Sequence, residues 1–298
     1  MSLPSGCALS RNLLGTSGRL RHRRGIIGRV QSWERLTVAE QTLVRRALSG
    51  AWLAGTVQIY GMALRWAGVQ NVPPRSYTDE EQRRLVPHLA DVAVDLAARG
   101  LLALARCADG GRVGEPLALG GPLQQIVTDP ANWIWNPSSA SAYQLSAPQH
   151  VHEHWFADAY PTADTAGLPA WEQLSRAERE VLVCAGEASG MLTGAFGIWP
   201  DPPADLTPAE RHVWIERQVT PLLPFVRAGW IEVRHYPTSG SDAYAVIPAD
   251  ALSQALADPA LREGQDWGVG VGCVFTYHGL AIWRSEWSSA WNSRLTFD

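Results

Sequence analysis

The sequence predicts a mainly helical α+β protein built from a duplicated unit, helices followed by a β-hairpin, with a Trp-rich extension at its C-terminus. Two internal echoes and one recurring helix-start device predict it. WERLTVAE (Trp33 to Glu40) returns as WEQLSRAE (Trp171 to Glu178) at an offset of 138. A second block, Thr78 to Ala131, returns at a constant offset of 129 through Thr78/Thr207, Glu81/Glu210, Gly100/Gly229, Gly111/Gly240, Leu123/Leu252, Gln125/Gln254 and Asp129-Pro130-Ala131/Asp258-Pro259-Ala260. The difference of nine residues places extra chain in the first copy, between Gly61 and Tyr77. Self-similarity of this kind marks a repeated structural unit.

Each copy opens two helices in the same way. Thr37-x-x-Glu40, Thr78-x-x-Glu81, Ser175-x-x-Glu178 and Thr207-x-x-Glu210 are capping boxes, in which a hydroxyl accepts from the N3 amide while the Glu returns to the cap amide. Pro208 suits a first helical position, where its missing N–H costs nothing. Leu85, Leu89, Val92 and Leu96 then fall on one helical face, as do Ile215, Val219, Leu222 and Val226. Pro87, Pro221 and Pro224 are expected to kink these helices or split them.

Gly100 and Gly229 end the helices, and short strands follow in Leu101 to Arg106 and Trp230 to Tyr236. Asp109-Gly110-Gly111 and Ser239-Gly240 make turns, with second strands expected near Leu117-Ala118-Leu119 and Tyr244-Ala245-Val246. A short helix ending at Asp-Pro closes each copy. The division is therefore 1–32, a basic arm; 33–131, copy one; 132–170, a Pro- and Ser-containing linker; 171–260, copy two; and 261–298, the Trp-rich extension.

The order helix, RGLLAL or AGWIEV, hairpin resembles the winged-helix fold, over about 33–131 and 171–260. The resemblance implies tandem winged-helix-like domains. In such domains the helix before the hairpin commonly enters DNA, which here implies Arg83, Arg84, His88 and Arg99 in copy one. Copy two offers His212, Arg217 and Arg227 beside Glu210 and Glu216. Many winged helices bind proteins instead, so the fold alone does not choose a function.

Charge does discriminate. All 25 cationic side chains are Arg and none is Lys, which a high-GC bacterial coding bias explains most simply; avoidance of lysine-directed modification is the functional alternative. Residues 1–30 carry six Arg and no acid, whereas the other 268 residues carry 19 Arg and 29 acids. An acidic body is a poor non-specific nucleic-acid binder, because such binding works by neutralising phosphates. The 46% hydrophobic content and 18% charge exclude a disordered or collagen-like chain and a polytopic membrane protein. Cys7, Cys107, Cys184 and Cys273 are widely spaced, which favours reduced thiols in a cytoplasmic setting over a disulfide framework.

Several local features invite specific chemistry. Arg19, Arg21, Arg23 and Arg24 could track phosphates or enter a minor groove, although the arm also reads as a solvated leader or a transit peptide. His150, His152 and His154 in HVHEHW alternate, so a strand would gather three imidazoles on one face as a weak metal candidate; a surface or packing role is the plainer reading. Gly268-Val-Gly270-Val-Gly272 fails the dinucleotide-binding pattern because too little chain follows for a βαβ unit. It reads instead as a strand whose glycine face admits another backbone.

Trp283, Trp287 and Trp291 recur every four residues, so a helix would place them on one stripe, either docked on a copy or presented to a partner. No GxSxG, P-loop or HExxH motif occurs. The expectation is thus a cytoplasmic, bacterial, non-enzymatic protein-interaction or adaptor protein. It would use no cofactor, small-molecule substrate or membrane, and would bind another protein or itself. The alternative is a DNA-binding transcriptional regulator using copy one and the arm.

Overall fold

The computed structural model describes residues 32–107, 113–135, 143–159, 166, 168–186, 190–194, 197–238, 243–262, 266 and 268–287. From Trp33 onward these belong to one unit with two halves, a mainly helical α+β arrangement with two small antiparallel sheets. The N-terminal half runs through a 3-10 turn at Trp33–Arg35, then α1 (Val38–Leu48), α2 (Thr56–Trp66), α3 (Asp79–Ala98), β1 (Ala103–Cys107), β2 (Val113–Pro116), α4 (Gly121–Thr128), β3 (Tyr143–Ser146) and α5 (Gln149–Ala159). The C-terminal half begins with a 3-10 turn at Trp171–Gln173. It continues through α6 (Arg176–Gly186), α7 (Pro208–Val219), α8 (Leu223–Arg227), β4 (Ile231–Tyr236), β5 (Ala245–Ile247), α9 (Leu252–Ala257), α10 (Pro259–Arg262), β6 (Gly270–Phe275) and α11 (Tyr277–Ile282), which runs on into a π-turn at Trp283–Trp287.

All four capping boxes form. Thr37, Thr78 and Thr207 each accept from the Glu three residues on, whose carboxylate returns to the cap amide. Ser175 and Glu178 do the same, at 2.7 Å and 3.2 Å. The prolines act unequally. The chain splits at Pro221, between α7 and α8, but α3 continues through Pro87. Pro87 is exposed, so water can take the place of the missing donor on the preceding turn.

The two sheets have the same order, β2-β1-β3 and β5-β4-β6, with the hairpin completed by a strand from later in the chain. Ala103, Leu104, Ala105 and Arg106 pair with Ser146, Leu145, Gln144 and Tyr143. Glu232, Val233, Arg234 and His235 pair with Val274, Cys273, Gly272 and Val271. A short extended segment then lines the outer side of each third strand. Leu53 donates to the Tyr143 carbonyl and Leu145 to that of Ala51; Leu192 donates to the Val271 carbonyl and Cys273 to that of Gly190. Leu53, Leu145, Leu192 and Cys273 are fully buried at these joints, each aliphatic side chain contributing roughly 1.5–3 kcal/mol of hydrophobic stabilisation.

These third strands correct the reading of 132–170 as a linker and of 261–298 as an appended extension. The first of those stretches holds β3 and α5, whose Leu145, Val151 and Trp155 are buried; the second holds β6 and α11. The second strand of the first hairpin also lies earlier than expected, at Val113–Pro116 rather than Leu117–Leu119, and it carries a bulge where its stretch from Val113 to Pro116 faces the shorter stretch from Ala105 to Cys107. In β6 the glycine face does admit a backbone: a Cβ on Gly272 would lie 3.0 Å from the Gly190 carbonyl oxygen.

A tryptophan pair closes each half. Trp33 meets Trp155 edge to face at 6.1 Å and 72°, and Trp171 meets Trp283 at 5.8 Å and 74°. In each pair the first indole comes from the opening 3-10 turn and the second from the segment after the third strand. That geometry adds about 0.5–1.5 kcal/mol beyond area burial.

Candidate functional site

The residues expected to read DNA lie along α3, whose exposed surface is mixed in charge. Arg83, Arg84 and His88 are exposed, but Asp79, Glu80, Asp91 and Asp95 share the same helix and are exposed too. Arg84 donates to Glu80 one turn back at 2.5 Å. Arg99 donates to Glu40 at 2.7 Å and to Asp95 at 2.8 Å, pinning the end of α3 to the start of α1. Burial works against the Glu40 charge, yet the Thr37 amide and Arg99 hold its carboxyl below the usual range. The His88 ring lies 6.1 Å from that of Tyr60. Arg19, Arg21, Arg23 and Arg24 lie outside the described residues.

The three histidines sit on a helix, α5, and not on a strand. Val151 and Trp155 anchor that helix in the core, four residues apart, and the helical period turns the alternating histidines to different directions. His152 stacks with Phe156 at 6.2 Å, and His154 lies against Trp155 at 5.8 Å. Among the described residues no group of three His, Cys, Asp or Glu side chains is gathered as metal ligands.

The tryptophan stripe is turned inward where it is described. Trp287 is fully buried against Phe225 and Trp230, with its indole N–H donating to the Pro169 carbonyl at 3.1 Å. Trp283 is half-buried between Trp171 and Phe275. Both are packed within the chain, as the docked alternative of the two expected roles has it, and neither presents its ring as a partner anchor. Trp291 lies outside the described residues.

The sequence reading missed the seam between the halves. The stretch that holds the nine extra residues folds as the end of α2 and a strap, residues 67–77, that reaches sheet two. Ser76 donates to the Tyr244 carbonyl at 2.9 Å, Tyr244 donates back to Ser76 Oγ at 2.8 Å, and Val246 donates to the Pro74 carbonyl at 2.6 Å. The strap thereby covers the outer edge of β5, an edge that would otherwise present unpaired amides. Gln58 of α2 holds the strap through both backbone groups of Tyr77, at 2.8 Å and 2.7 Å. Gly61 leaves room for the Tyr77 ring, which any Cβ there would strike.

Beneath the strap lies a buried charge cluster. Glu232 of β4 accepts from Arg234 Nε at 2.8 Å and from Arg65 Nη2 at 3.3 Å. Arg65 also donates to the Tyr244 hydroxyl at 3.0 Å, and the Arg234 guanidinium lies over the Tyr244 ring at 4.4 Å. Burial opposes the charge on Arg234, but Tyr236 and Glu232 hold its pKa above the ordinary value. On the neighbouring side Arg45 of α1 stacks on Tyr277 at 3.9 Å, and Trp66 meets the same ring edge to face at 4.5 Å.

Among the described residues no helix is long and apolar enough to cross a membrane. Comparisons with protein-family models, with curated proteins and with solved structures find no match for this chain.

Proposed function

We propose that residues 33–159 and 171–287 are two copies of one winged-helix-like repeat, fused into a non-enzymatic scaffold for protein interaction in the bacterial cytoplasm. The observation that carries the protein-binding part is the placement of aromatic side chains. Trp52, Trp135 and Phe156 of the N-terminal half are exposed at 37%, 47% and 50%, whereas the described aromatic residues of the C-terminal half are buried or half-buried. Exposed tryptophan and phenylalanine are the residue types that anchor protein interfaces. The free, buried thiols of Cys107, Cys184 and Cys273 suit a reducing compartment.

DNA binding is the second reading, favoured by the exposure of Arg83, Arg84 and His88 on the helix before the hairpin. It fits less well, because acids alternate with those cations and α2 is largely consumed by the seam. The test is affinity capture from the native host with nuclease-treated extract. A partner retained by the wild type and lost with Trp135→Ala plus Phe156→Ala supports the scaffold. Sub-micromolar DNA binding that falls steeply with salt and is lost with Arg83→Ala plus Arg84→Ala would replace it with the regulator.

A further inference from the structure

We infer that the cleft between the halves is a binding site for a small neutral aromatic molecule carrying one hydrogen-bond donor, of the phenol or indole class, an activity additional to protein interaction. The cleft holds a cavity of about 630 Å³, a size typical of small-molecule sites. Val38 of α1, Trp66 of α2 and Ala67 just after it form one wall; Val246, Pro248 and Ala249, at the end of β5, form the other. All six are exposed or half-buried, so each has surface to give a ligand. Tyr277 lines the cleft as well, with its ring edge to face with Trp66 at 4.5 Å and 72°. Two rings set across each other beside aliphatic walls suit a flat aromatic body.

Hydrogen bonding selects the head of the ligand. The Glu232 carboxylate lines the cleft, and its two oxygens are unequally satisfied. Oε1 accepts from Arg234 Nε at 2.8 Å and from Arg65 Nη2 at 3.3 Å. Among the described residues Oε2 accepts one bond, a long one of 3.4 Å, from that same Arg65 nitrogen. A carboxylate oxygen has two lone pairs, so Oε2 keeps acceptor capacity. A nearly buried acceptor on an apolar wall calls for an O–H or N–H opposite it.

Charge excludes the alternatives. Arg65 and Arg234 already oppose the Glu232 charge from outside the cleft, so an ammonium finds no free counter-ion there. An anion would be brought against the carboxylate itself. Arg45, which also lines the cleft, is committed within the chain to the Ala159 carbonyl at 3.0 Å and to the Tyr277 ring at 3.9 Å. A hydrocarbon would fill the slot but leave Oε2 as it is. A neutral ring with one donor meets both the walls and the acceptor.

The experiment is isothermal titration of the full chain with indole and with 4-ethylphenol. Each is run beside its methylated twin, 1-methylindole or 4-ethylanisole, beside a cationic relative, tryptamine or tyramine, and beside an anionic one, indole-3-acetate or 4-hydroxyphenylacetate. At least one of the two neutral donors is expected to bind saturably, with a dissociation constant below about 1 mM and about tenfold tighter than its twin and its charged relatives. Ala67→Trp and Pro248→Trp, at exposed positions on opposite walls, should each weaken that binding by about tenfold or more while leaving the circular dichroism spectrum of the free protein unchanged. A methylated twin or a charged relative that binds as tightly as its parent overturns the inference, as does undiminished binding by a folded Trp variant. Absence of saturable binding by both donors up to about 5 mM also overturns it. None of these results bears on Trp135 or Phe156, so the scaffold reading stands or falls separately.

Discussion

The two halves share a frame but close it differently. Each has a capped first helix, an extended segment against the third strand, a hairpin, and a tryptophan pair that staples the last segment to the opening turn. In the N-terminal half the outer hairpin strand is blunted by its own bulge between Val113 and Pro116 and by Pro116, which has no amide hydrogen to offer. In the C-terminal half the corresponding edge is covered by the strap. Among the described residues between Gly194 and Thr207 the C-terminal half has no helix matching α2. The comparison teaches that an insertion confined to one copy became the joint between both. Glu232 stands at the register position that Ala103 fills in the other sheet, and its partner Arg65 comes from the last turn of α2, where the extra stretch begins.

Removing the charge at that joint should have the largest effect. Glu232→Gln leaves Arg65 and Arg234 facing each other in a buried site, where the loss of one partner of an ion cluster costs about 3–5 kcal/mol. Urea denaturation should show the midpoint falling sharply. If the cost stays below about 1 kcal/mol, the cluster contributes little and the joint rests on the strap hydrogen bonds and on the contacts of Arg45 and Trp66 with Tyr277.

A smaller contrast separates the two extended segments. Gly50 and Gly190 both precede the segment that lines the third strand, and both have left-handed backbone, with φ of 61° and 50°. Alanine in that conformation costs roughly 1–2 kcal/mol. A Cβ on Gly50 would meet only the movable amide of Gln144, at 3.0 Å, whereas one on Gly190 would run into the carbonyl oxygen of Cys273 in β6. Gly190→Ala should therefore cost about 2 kcal/mol more than Gly50→Ala, since the backbone of β6 must move. Equal costs would mean that the two closures are equally tight.

What could be read beforehand followed the range of the interaction. The capping boxes were legible because cap and carboxylate are three residues apart, and the glycine face of β6 because its pattern alternates within one strand. β3 was not legible: Tyr143-Gln144-Leu145-Ser146 alternates apolar with polar residues, but over only four residues in a stretch rich in Ser and Pro. The alternating histidines then suggested a strand where Val151 and Trp155, four residues apart, required a helix. A usable signal existed, since His150 and Trp155 recur as His278 and Trp283 at an offset of 128, which would have carried the repeat past Ala131 and Ala260. The charge cluster had no such signal. Arg65 and Glu232 are 167 residues apart, and their meeting depends on how the strap folds.

The smallest expected effect tests how the strap is fastened to its own half. Arg75 makes two hydrogen bonds to Glu81, at 2.7 Å and 2.8 Å, while Glu81 also caps α3 through the Thr78 amide. Arg75 first and the Thr78 amide second hold the Glu81 carboxyl down from 4.5 to about 2. Because the folded value is the lower one, this group stabilises the fold above pH 4.5, and the contribution is lost as pH falls from 4.5 towards 2. Solvent screening at this partly exposed site reduces it to about 0.5–1 kcal/mol. Glu81→Gln should accordingly melt lower than the wild type at pH 7 and converge with it near pH 2. The matching capping glutamate of α7, Glu210, is lowered by Thr207 and has no arginine partner among the described residues, so Glu210→Gln should show a shallower dependence. If the two variants titrate alike, Arg75 adds nothing beyond the capping box, and Gln58, Gln82 and Arg65 fasten the strap to its own half without it.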